Sequence, residues 1–353
     1  MVIRPAWEKR CEMEQKTDKK PGGTAYLDML RVAAIGAVIL LHVVSGTKKE
    51  VPNELSRTIK TVYTIIVHIC SIGVPLFLMI SGALFLDNKK KTLLKDLFGK
   101  YILRLVLALI IFGTLFNVLE LAYLTKSFSA DYLVKGFVQV TEGVAWDHLW
   151  YIYMLIGIYL FMPMWQAAAG YLSGNLFRYL VVLLFLITCA LPQIRHMGFR
   201  SGLQFPVTSV YVLYFLSGFY LHHYLRENSS LVPAALIIAA AFPVITVFDV
   251  IFEWKLTDGY NGIPGALAAA SLFYLASRKK NVPTWCRYWR SLTFGIYLIH
   301  PLFLNLVYKG LHVTPAAFGG IILIPVFWVD TAFFSWLTVV ILRKIPPVRK
   351  YVL

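Results

Sequence analysis

The residues best able to do chemistry stand at the start of the first apolar run: Asp28, Arg31 and, after ten mostly apolar residues, His42. Eleven helical steps return to within about 20° of the starting direction, so Arg31 and His42 share one helix face, about 16 Å apart along the axis. Asp28 lies one turn below Arg31 and can pair with it. Ionisable groups aligned on one membrane helix are costly, and that cost argues for a site. Arg31 suits a fixed cation that holds an anionic group, and His42 suits a base that titrates near neutrality. The other reading makes Arg31 a positive anchor at the membrane interface and His42 a hydrogen-bonded packing residue. Spacing alone leaves both open.

The elements that must position these groups are membrane helices. The chain has 353 residues, 58% hydrophobic and 15% charged, with a mean hydropathy of +0.67. This composition predicts an all-α polytopic membrane protein. Apolar runs predict about ten transmembrane helices, at 27–47, 62–86, 99–124, 149–169, 176–192, 207–224, 231–251, 262–277, 291–312 and 318–343. The eighth, beginning near Pro264, reads as broken or tilted. Residues 1–24 are polar and lack the pattern of a cleaved signal peptide, so they read as a disordered cytoplasmic tail. Residues 25–345 then form one transmembrane domain, and 346–353 a second cytoplasmic tail. With both termini cytoplasmic, most of the 34 Lys and Arg fall on inner segments, as the positive-inside rule requires. The net charge of +16 therefore has a topological origin and calls for no nucleic acid. The four cysteines are scattered without metal-ligand spacing, so neither a metal site nor a disulfide framework is expected.

Further candidates follow along the chain. The second helix carries His68, and Pro75 should kink it, while Ser81 and Gly82 permit close approach of a neighbour or a ligand. The connection 87–98 is rich in lysine. Lys100 and Arg104 follow, four apart on one expected helix face, and suit either lipid headgroups or the phosphates of a soluble donor. Trp146-Asp147-His148-Leu149-Trp150-Tyr151 reads as an interfacial aromatic belt or as a sugar site, with rings to stack and polar groups to fix hydroxyls. Glu120, Asp249 and Glu253 sit near outer helix ends, whereas His196, His222 and His223 read as structural or solvated. In the ninth helix, Tyr297 and His300 precede Pro301, which leaves the carbonyl four residues back without its usual donor. Asp330 in the tenth helix is paired structurally or faces a central cavity.

Four pieces now stand in order on one helical chain: Arg31 with His42; Gly73-Val74-Pro75-Leu76-Phe77-Leu78-Met79-Ile80-Ser81-Gly82; Asp147-His148-Leu149-Trp150-Tyr151; and Gly295-Ile296-Tyr297-Leu298-Ile299-His300. Together they resemble the integral-membrane acyltransferase-3 family over residues 24–345. The pattern is nearest to the branch of O-acetyltransferases acting on enterobacterial common antigen. A shorter likeness reaches the membrane half of glycopeptide-resistance serine racemases. The resemblance implies transfer of an acyl group, usually acetyl from acetyl-CoA, to a hydroxyl of a surface glycan or its lipid-linked precursor, in a bacterial cytoplasmic membrane. It implies that Arg31 and His42 are essential and that Lys100 and Arg104 hold the donor; from position alone, Asp28 is expected to orient Arg31, and Arg31 and Ser81 are further candidates for holding the donor. His148, Trp150, Tyr297 and His300 are the candidates for binding the acceptor. The chain departs from relatives that carry a glutamate-rich motif where His148-Leu149-Trp150 stands here. The rival from another class is a transporter for a small molecule such as serine, which needs similar buried polar groups.

Overall fold

A computed structural model describes residues 23–86, 92–198, 202–256 and 258–353. Residues 1–22 of the expected tail, together with Lys89, Lys90 and Lys91, lie outside the described residues. The described residues are 78% helix and include no strand. In chain order the helices are α1 (Ala25–Glu50), α2 (Arg57–Cys70), α3 (Gly73–Phe85), α4 (Leu103–Thr125), α5 (Asp131–Thr141), α6 (Trp150–Leu160), α7 (Met162–Tyr171), α8 (Gly174–Phe185), α9 (Val210–Tyr220), α10 (Val232–Phe252), α11 (Ile263–Ser277), α12 (Thr284–Arg290), α13 (Thr293–Asn305), α14 (Ile324–Leu342) and α15 (Pro346–Tyr351).

Helix α1 is the hub and packs against α2, α3, α11, α12, α13 and α14. Asp28 in its first turn and Lys48 and Lys49 in its last match the helix dipole. Between α2 and α3 the chain breaks at Ser71 and Ile72. Pro75 removes the donor that the Ser71 carbonyl would use, and that oxygen accepts from the Val74 amide instead, at 3.2 Å. The sharpest packing is the crossing of α3 and α9. A Cβ on Gly82 would lie 1.7 Å from the Phe215 carbonyl oxygen, and one on Gly218 would lie 2.0 Å from that of Met79. Gly82 is therefore spent on a neighbouring helix, which settles one alternative left by the sequence.

Among the described residues, six helical segments are long and apolar enough to cross a membrane, or up to eight if each of two bent pairs counts as one span. The sequence led to about ten, and two causes account for the difference. Runs expected as continuous are bent: α6 and α7 meet at 55°, where Pro163 opens the second helix, and α12 meets the helix that follows at 69°. The runs at 207–224 and 262–277 form short elements. At 15 residues α11 is about 22 Å long, less than a hydrocarbon core.

Candidate active site

A cavity of about 760 Å³ runs beside α1, walled at one end by Arg31 and at the other by His42. Helices α2 and α3 descend antiparallel to α1. Lys48 meets Thr64, and Gly73 packs over Ala34 and Val38. His68 and Ser71 therefore stand near the level of His42, and Ser81 near that of Arg31; all three line the cavity. Helix α13 ascends beside α1, so Phe294 belongs to the arginine end and His300 to the histidine end.

At the histidine end, three imidazoles cluster. Ring centroids lie 4.9 Å apart for His42 and His300, 5.7 Å for His148 and His300, and 6.4 Å for His42 and His148. His42 Nδ1 lies 2.8 Å from the Val38 carbonyl oxygen. A carbonyl only accepts, so Nδ1 carries the proton and Nε2 keeps a free lone pair. His300 Nδ1 lies 2.8 Å from the Tyr297 carbonyl oxygen and 3.2 Å from that of Ile296, so it too is the protonated nitrogen. The Tyr297 carbonyl is the one deprived of a partner by Pro301, and His300 supplies the missing donor. The remaining His300 nitrogen, Nε2, stands 3.3 Å from His42 Nδ1 and accepts a share of its proton. No group of three such side chains has the geometry of a metal site among the described residues.

His300 was expected to contact an acceptor. It is fully buried and does not line the cavity, because its ring turns toward its own helix to satisfy the freed carbonyl. His148, Trp150 and Tyr297 do line it. His148 lies near its Leu298 carbonyl partner, 3.2 Å from Nε2, and that contact leaves Nδ1 as an acceptor. The Tyr297 hydroxyl donates to the His148 carbonyl, so its hydrogen is already committed. Trp150 keeps 37% of its surface exposed and is backed by Tyr211. Asp147 lies outside the cavity in a surface pair with Lys49 at 2.8 Å.

At the other end, four guanidinium groups converge: Arg31, Arg104, Arg290 and Arg343. Asp28 is buried behind them, with one carboxylate oxygen 2.7 Å from Arg31 and the other 3.9 Å from Arg290. Arg104 lies over the Phe294 ring and donates to the main-chain oxygens of Val352 and Leu353, and Leu353 lines the cavity. Arg343 is held by the Ser291 hydroxyl at 2.6 Å. Lys100 does not join them. It is exposed and paired with Asp96 at 2.7 Å. The sequence reading assumed regular α-helical spacing, whereas Leu97–Ile102 form a wider π turn that changes the angle between Lys100 and Arg104.

Sequence reasoning did not assign Arg343, Arg290, Tyr159, Asp258 or Asn261 to the site, yet all five line the cavity. The available signal was an arginine within one turn of an apolar helix end, which was read as topological charge. Glu120 forms an ion pair with Lys309 at 2.8 Å. Asp330 is half-buried outside the cavity, without a hydrogen bond or ion pair among the described residues. The His222 ring bonds to Tyr26, a structural contact.

Comparison with curated proteins and with solved structures gave no match. The family model described as an acyltransferase domain matches residues 24–342. Nothing in these comparisons favours a transporter. An arginine-lined cavity end, a lone pair on His42 at the other and this match over most of a multi-pass helical chain lead to one conclusion: the chain belongs to the acyltransferase-3 family and is a membrane acyltransferase.

Proposed function

We propose that the protein moves an acyl group, in the first instance acetyl, from acyl-CoA to a hydroxyl of a cell-surface glycan or its lipid-linked precursor. The observation that carries this reading is the polarity of the cavity beside α1. Its arginine end gathers four cations around buried Asp28, a setting for polyanionic phosphate. About 16 Å away along α1, His42 presents a basic nitrogen. A pantetheine arm is of comparable length. On this reading both termini and the arginine end face the cytosol of a bacterial cell, and the histidine end faces outward among the lipids of the cytoplasmic membrane.

Acyl-CoA supplies an activated thioester. Arg31 and Arg104, joined by Arg290 and Arg343, hold its phosphates, and Ser81 lines the path between the two ends. Asp28 orients Arg31 and Arg290. His42 Nε2 removes the proton of the acceptor hydroxyl as its oxygen bonds to the acyl carbon. The carbon–sulfur bond then breaks, and His42 returns the proton to the departing thiolate. His300 acts as a positioning residue: it fixes the His42 tautomer and shares the charge that forms on the ring. His148 and Trp150 bind the acceptor, with His148 Nδ1 accepting from a hydroxyl and Trp150 offering an apolar face. Positioning and proton transfer suffice because a thioester is already activated.

The test is acetyl-CoA presented to one face of proteoliposomes, with free thiol and labelled product measured against the glycan of enterobacterial common antigen as first acceptor. Thiol release stoichiometric with glycan acetylation is the expected result. Folded protein that binds no acyl-CoA would overturn the reading.

A further inference from the structure

The wall of the histidine end includes a turn that the chemistry above does not use. Asp258, Gly259, Tyr260 and Asn261 enter the cavity between α10 and α11. This connection is clamped in a way that a plain linker does not need. Buried Asp249 accepts from the Leu256 amide at 2.6 Å. Buried Gln193 donates to the Leu256 carbonyl at 2.6 Å and accepts from the Ile263 amide at 2.7 Å, tying both ends of the connection to one side chain. The Tyr214 hydroxyl donates to the Tyr260 carbonyl. Gly259, at a φ of +51°, lies so close to the break between α2 and α3 that a Cβ there would stand 2.7 Å from the Ser71 hydroxyl. A Cβ on Gly265 would stand 2.0 Å from the Gly259 carbonyl oxygen, so both sides of the turn are fixed by close contact.

These anchors hold Asp258 and Asn261, both exposed and lining the cavity, on the wall that also carries His68 and Trp150, with the Asn261 amide donating weakly to one Asp258 carboxylate oxygen at 3.4 Å and the other oxygen left to accept. Asp258 is the only acidic side chain on that wall among the described residues. A carboxylate accepts from two neighbouring hydroxyls, an amide both donates and accepts, and an indole face takes an apolar ring surface. The same carboxylate repels an anion.

We propose that this clamped turn selects the acceptor, with Asp258 and Asn261 binding the hydroxyls of a neutral sugar ring that lies on Trp150 and Asp258 rejecting acidic sugars. The proposal rests on the acyl-CoA reading and adds the substrate class of its outer subsite. Asp249 and Gln193 are positioning residues for the turn and touch no substrate.

The test uses full-length protein in proteoliposomes with acetyl-CoA and three probes at equal concentration: the methyl glycosides of glucose, N-acetylglucosamine and glucuronic acid. The readout is the ratio of thiol release with each neutral glycoside to that with the glucuronide, in wild type, Asp258→Asn and Asp258→Lys. Wild type should favour the neutral probes. Asp258→Asn should lower the ratio by roughly tenfold, the scale of one charge-assisted hydrogen bond, and Asp258→Lys should invert it. One ratio shared by all three proteins, each still cleaving acetyl-CoA, would overturn the proposal. Failure of wild type to bind acetyl-CoA would instead overturn the acyl-CoA reading, and the selection with it.

Discussion

His300→Ala separates a positioning role from an acceptor-binding one. In the resting protein His300 Nε2 takes a long, neutral hydrogen bond from His42 Nδ1, at 3.3 Å, while Val38 holds the same proton at 2.8 Å. A neutral bond of this kind contributes about 0.5–1.5 kcal/mol, and one to a charged group about 1.5–3 kcal/mol. The surplus of about 1–1.5 kcal/mol appears only when His42 becomes imidazolium, so kcat should fall roughly tenfold. The KM values for acyl-CoA and acceptor should stay where they are. The variant should also lose stability, because Pro301 takes away the usual helical donor to the Tyr297 carbonyl and His300 supplies its replacement. One unsatisfied buried carbonyl costs about 1–3 kcal/mol, which a thermal melt in detergent resolves. His300→Gln, whose amide can donate to Tyr297 and accept from His42, should restore most of both. The assay is steady-state acetyl transfer with each substrate varied in turn. A raised acceptor KM with unchanged kcat would refute the reasoning and return His300 to the acceptor site.

Three further outcomes follow from the geometry. Asp28→Asn leaves Arg31 and Arg290 without their buried carboxylate; it should lower stability by about 3–5 kcal/mol and enlarge the rise in melting temperature on adding acetyl-CoA, since phosphate then supplies the missing charge. Lys100→Ala should change the KM for acetyl-CoA by less than about twofold, because an exposed pair contributes at most about 1 kcal/mol and this one lies outside the cavity. Gly82→Ala forces a Cβ against the Phe215 carbonyl and should cost several kcal/mol, on the order of the worst overpacking, read as loss of folded protein on size-exclusion chromatography.

The helical class and the facing of Arg31 with His42 were legible because a regular helix converts spacing directly into direction. The Asp28 pair was legible for the same reason. What the sequence did not carry arises where the helix is irregular or where distant segments meet. The π turn at Leu97–Ile102 undid the expected pairing of Lys100 with Arg104. Pro301 announced a free carbonyl, but not that the neighbouring His300 would turn inward to serve it. Arg290 and Arg343 join Arg31 only through the placement of α12 and α14, and no local pattern distinguishes them from topological charge. The Asp258–Asn261 turn faces the cavity because Asp249 braces it locally and Gln193, far earlier in the chain, ties down both of its ends.

The most direct measurement is acetyl-CoA binding and turnover in purified, detergent-solubilised protein, comparing wild type with His42→Ala and Arg31→Ala. His42→Ala should bind acetyl-CoA as wild type does while turnover falls by about 10²–10⁴, the scale of a lost general base. Arg31→Ala should bind roughly tenfold or more weakly, as loss of a charge-assisted phosphate contact requires. Unchanged turnover in His42→Ala, or unchanged affinity in Arg31→Ala, would contradict the division of the cavity into a phosphate end and a chemical end.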